Sequence, residues 1–64
     1  MISDEFVKFA KAMPPHQLVM QLCYHFVDRE SAHKNMDMPN YEICASRFQI
    51  LLDEAVFRME REND

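Results

Sequence analysis

Three histidines (His16, His25, His33) and two cysteines (Cys23, Cys44) have the widest chemical range of any residues in this 64-residue chain. Imidazole and thiolate together can hold zinc or form a nucleophile–base pair, so their spacing decides what they can do. Structural zinc sites take ligands in short Cys–Cys or His–His steps, and no such step occurs here. Glu30-Ser31-Ala32-His33 does have the E-x-x-H spacing of di-iron helical bundles, which a symmetric dimer would present twice. Those sites need a further inward-facing Glu in each half, and Glu42 and Glu54 both fall on polar arcs of their helix. His33 also lies at the end of a helix, where a cationic side chain is favoured by the helix dipole with no metal present. Glu30 and His33 are therefore only weak metal candidates, and no cofactor is expected.

Catalysis finds little support. Neither cysteine sits beside basic residues or at a helix N-terminus, the settings that lower a thiol pKa. Asp53 and Glu54 are adjacent carboxylates, but on a helix they point about 100° apart and do not converge on one substrate. The chain contains no Gly, which removes the Gly-rich phosphate loop, the dinucleotide fingerprint and the Gly-dependent nucleophile elbow. No catalytic residue is assigned, and the expectation is a non-enzyme.

The same absence of Gly disfavours tight hairpin turns and points to helices joined by Asn, Asp and Pro. Ser3 is a candidate N-cap for a first helix over 4–12, with Asp4 and Glu5 at its positive end and Ile2, Phe6, Phe9 and Met13 along one side. Pro14-Pro15 ends it and starts a second helix, expected over 15–32. Apolar residues from Leu18 to Val27 occupy well over half of that helix's circumference. Gln17, Gln21, His25, Asp28 and Ala32 form the remaining polar or neutral strip, so this helix reads as the central element, covered on several sides. Cys23 and Cys44 fall within apolar stripes, the usual place of a reduced core cysteine. A polar connection carrying Met36 and Met38 follows, with Asp37 or Asn40 as cap and Pro39 in or before the first turn of a third helix over 40–61.

The third helix has two apolar faces. Tyr41, Ala45, Phe48, Leu52, Ala55 and Met59 form one stripe, widened by Cys44, Leu51 and Val56; Ile43, Ile50 and Phe57 recur every seventh residue on the other side. Glu54 and Arg58 are spaced for an ion pair. The expected architecture is all-α: one domain over 1–64, with a short N-terminal helix and an antiparallel helical hairpin that dimerises into a bundle. Leu22, Tyr24, Phe26, Phe48, Leu51 and Leu52 are expected at its dimer core.

At this length only roughly 60% of the unfolded chain's surface can be buried, and a composition that is 48% apolar favours oligomerisation as the route to stability. The net charge is −4, and the seven Lys and Arg are scattered, so neither nucleic acid nor an anionic membrane is an expected partner. The start is acidic with no apolar run behind it, so no signal peptide is expected and a cytoplasmic location is. The functional expectation is a small acidic homodimer that binds another protein, one with a basic surface, and inhibits or modulates it. That puts it with bacterial or phage-type regulators and adaptors, by analogy of size. Ile43, Ile50, Phe57, Met36 and Met38 are the expected contacts, the competing expectations for the Ile43–Ile50–Phe57 ridge being that the first helix, through Phe6, Phe9 and Met13, or a second subunit covers it. The alternatives are a self-assembly subunit with no separate target and a metal-binding four-helix bundle.

Overall fold

A computed structural model describes residues 4–63, which form three α-helices: α1 (Asp4–Ala12), α2 (Pro15–Lys34) and α3 (Met38–Asn63). The expected cap at Ser3 lies outside the described residues. Pro14 is extended (φ −61°, ψ 155°) and Pro15 opens α2, so the two prolines make the first corner as their fixed φ requires.

The second corner is a Schellman turn. The Asp37 N–H donates to the Ala32 carbonyl at 2.8 Å and the Met36 N–H to the His33 carbonyl at 3.1 Å, the two bonds that define this end of a helix. The motif needs a left-handed residue at its turn position, which is usually Gly. This chain has none, and Met36 takes the position at φ 58°. Asp37 then caps α3: its carboxylate accepts from the Asn40 backbone N–H at 3.5 Å and from Asn40 Nδ2 at 2.6 Å.

α3 is the organising element. Its 26 residues span about 39 Å at 1.5 Å per residue, which accounts for the 41 Å long dimension of the molecule. It packs against both other helices. The α2–α3 contacts run in opposite order along the two helices: His33 meets Tyr41 (rings 5.6 Å apart) and, farther from the turn, Phe26 meets Phe48 (6.0 Å). The fully buried Leu51 is the centre of the core, joined by Ala10, Met13 and Leu18, with Phe6, Leu22, Ile50 and Ala55 packed around them.

Two expectations are corrected. α2 is not the hub, because α3 alone carries the main contacts to both neighbours. α2 also turns much of its polar strip inward: Gln17, Gln21 and His25 are half-buried and Ala32 is buried, whereas Val19, Met20, Cys23, Tyr24, Phe26 and Val27 are exposed. The physical reason is fit: the His25 ring meets Phe6 of α1 edge-on at 6.0 Å, a favoured aromatic geometry, and the small Ala32 lets the end of α2 lie close to α3.

Candidate functional site

The site is built where α1 lies on α3. Ala10 is small enough to bring the two backbones together, and Arg58 of α3 fixes the approach. Its Nε donates to Glu54 Oε2 at 2.8 Å, the ion pair expected from the four-residue spacing. Its Nη2 donates to the carbonyl oxygens of Ala10 and Lys11, both at 3.2 Å. These are two of the last carbonyls of α1, which have no partner within their own helix and lie at its negative end. One guanidinium thus caps α1 and clamps it to α3. No sequence pattern announced this, because the partners are 48 and 47 residues away.

Beside the clamp, α1 and α3 enclose a groove of about 480 Å³ lined by Val7, Ala10, Lys11, Ile50, Asp53, Glu54, Phe57 and Arg61. Its floor is apolar and its rim carries both signs of charge. Of the Ile43–Ile50–Phe57 ridge, α1 covers only Ile50, which packs against the core. Phe57 stays 51% exposed in the groove wall, with the Arg61 guanidinium 5.6 Å above its ring, and Ile43 stays half-exposed farther along α3. Met36 and Met38 lie at the other end of the molecule. Met36 is 84% exposed, so the structure does not bring the two methionines together with Phe57.

On α1's other flank, Phe6 lies between His25 of α2 and Arg47 of α3, whose guanidinium is 5.7 Å from the Phe6 ring centre. Burial and the nearby Arg47 charge hold the His25 pKa below its ordinary value, against a smaller opposing pull from Asp28. His25 Nδ1 is buried with no hydrogen-bond partner.

Among the described residues, no helix covers the far side of the α2–α3 pair. Arg29 marks its inner edge, with its guanidinium 5.1 Å from the Phe26 ring centre and 5.0 Å from that of Phe48, and an ion pair to Glu30 at 3.5 Å. Outward from there Val19, Phe26 and Val27 of α2 and Leu52, Val56 and Met59 of α3 are all exposed. Of the residues expected in a dimer core, Leu51 is buried and Leu22 and Phe48 are half-buried, while Tyr24, Phe26 and Leu52 lie on the open surface of the single chain. Cys23 is an exposed free thiol on the same side of α2 and Cys44 a half-buried one, so only Cys44 keeps something of the expected core setting.

Among the described residues, no group of three or more His, Cys, Asp or Glu is placed to hold a metal ion. Glu30 turns to Arg29 and His33 to the Tyr41 ring, and the E-x-x-H pair gains no third ligand from α3. No described helix is long and apolar enough to cross a membrane. The chain matches no family model, no curated protein and no solved structure.

Proposed function

We propose that this chain is a non-catalytic, cytoplasmic protein-interaction module. In this reading a short N-terminal helix rides on an antiparallel helical hairpin, and the whole acts as a small acidic homodimer that docks on another protein and modulates it. The observation that carries the proposal is the α1–α3 groove, with Phe57 half-exposed above Ile50 between charged rims. Interfaces concentrate their energy in aromatic anchors set in a pocket and ringed by polar groups, and this groove has that composition. A target helix or loop inserting an apolar side chain against Phe57 would also meet Lys11, Asp53 and Arg61. The net charge of −4 favours a target with a basic surface and would speed encounter with it.

The test compares tagged wild type with Phe57→Asp as baits in host extract, followed by calorimetry on the purified target. Phe57 contributes little to the core, so the variant keeps its helicity. The expected result is one protein retained by wild type and lost by Phe57→Asp, with affinity falling as salt rises. A bait pair that captures the same set of proteins refutes the groove as a docking site. Ile50→Asp is the less informative variant, because Ile50 packs against the core and its loss disturbs the fold.

A second reading, self-assembly with no separate target, is favoured by the uncovered apolar face on the opposite side of α2 and α3.

A further inference from the structure

We infer that the face formed by Val19, Phe26 and Val27 of α2 with Leu52, Val56 and Met59 of α3 is the seat of a second copy of this chain, paired about a two-fold axis. The inference rests on the dimeric reading above and locates its interface. All six side chains are exposed, Val27 by 62% and Phe26 by 44%. At 100° per residue they fall on one flank of the α2–α3 pair, the flank away from α1.

Area identifies the occupant. The chain exposes 5081 Å² at a mass of 7.7 kDa, whereas a monomeric protein of that mass exposes about 4,300 Å², an excess of roughly 750 Å². A stable interface of ordinary size buries about 800 Å² on each partner, so one further copy accounts for the excess. The shape agrees: the radius of gyration is 12.5 Å, against roughly 10.7 Å for a compact domain of this length. Two such elongated pairs laid face to face make a four-helix core, the arrangement that lets a helix with this much apolar circumference be covered. In the helical register Glu30, already paired with Arg29 at 3.5 Å, lies within this flank, while Lys34 and Glu42 border it at one end and Glu60 at the other, so a two-fold axis across the middle sets the Lys34 end of one copy over the Glu60 end of its partner. In that arrangement α1 and its groove face outward on both copies, free for a different protein.

The test is sedimentation equilibrium from micromolar to millimolar protein, on wild type, Val27→Glu, Val56→Glu and, as a control on the opposite flank, Ile43→Glu. Wild type and Ile43→Glu are expected at dimer mass, and each face variant is expected to dissociate at least about tenfold more readily. Any face variant that loses helicity is judged by the wild type's melting temperature, which must rise with protein concentration if folding and pairing are coupled. A monomeric wild type, a dimer insensitive to both Val27→Glu and Val56→Glu, or one broken by Ile43→Glu overturns the inference. None of those outcomes decides the groove, which Phe57→Asp tests separately.

Discussion

Arg58→Ala should remove the clamp that holds α1, and the structure allows its size to be worked out. The native side chain makes three charge-assisted hydrogen bonds, to Glu54 at 2.8 Å and to the Ala10 and Lys11 carbonyls at 3.2 Å. Hydrogen bonds to charged groups contribute about 1.5–3 kcal/mol each where water is excluded. A quarter of the Arg58 side chain is exposed and Lys11 lies at the surface, so water replaces part of what is lost. Ala10 is 1% exposed, however, and its carbonyl keeps only the Met13 N–H at 3.2 Å, while the Glu54 carboxylate, 11% exposed, loses its counter-charge. The net cost is about 2 kcal/mol, a large part of the roughly 3–9 kcal/mol expected of a domain this size. Thermal unfolding followed by circular dichroism should show a melting temperature lower by about 8–16 °C. Arg58→Lys, which keeps the charge but cannot reach carboxylate and carbonyls together, should recover no more than about half of that. A loss below about 0.5 kcal/mol for Arg58→Ala, or full rescue by Arg58→Lys, would mean that α1 is held by its apolar contacts and that the clamp is incidental.

Leu51→Ala empties the centre of the core and should cost about 3–4 kcal/mol in urea denaturation, enough to leave the chain substantially unfolded; a loss under about 1 kcal/mol would place the core elsewhere. The His25 pKa is lower in the folded chain than in the unfolded one, so between the two values the unfolded state binds more protons. Stability should therefore be full above about pH 6.5, the ordinary histidine value, and fall as pH drops through it. His25→Leu should flatten that part of the profile, and an unchanged profile would locate the titration in another group. Met36→Gly relieves a left-handed residue whose side chain is largely exposed, and should raise stability by about 0.5–1 kcal/mol. If Met36 also contacts a target, the same variant will be more stable and bind less well, two readouts moving in opposite directions.

The two corners were legible because local chemistry dictates them: Pro14-Pro15 ends one helix and opens the next, and Asp37 with Pro39 favours a helix start. The far ends were not, since α2 runs to Lys34 rather than 32 and α3 spans Met38–Asn63 rather than 40–61, beyond its apolar pattern. The Glu54–Arg58 pair was legible as the corners were, being four residues apart. The direction in which α2 packs was not. Its apolar residues cover so much of its circumference that hydropathy leaves the buried face undetermined, and the choice falls to fit: Ala32 and the His25 ring face inward, and Tyr24 and Phe26 outward. The groove was half legible. The seven-residue spacing of Ile43, Ile50 and Phe57 marked a second face on α3, but only the placement of α1 shows that it covers Ile50 and leaves Phe57 open.

The Arg58 clamp also bears on the order in which the molecule assembles. α2 and α3 are joined by a short turn and can pair early, since closing so small a loop costs little chain entropy. α1 gains its cap only when Arg58, at the far end of α3, is already in place, so its docking belongs late on the folding path and first on the unfolding path. In the native state the same hierarchy makes α1 the segment that detaches by itself, baring Ile50 and one side of Leu51 while the other two helices stay paired. Amide exchange should accordingly be faster throughout α1 than at the centres of α2 and α3. A target that captured the detached form would find a longer apolar trough than the closed groove offers, and its binding would be read as displacement of the first helix.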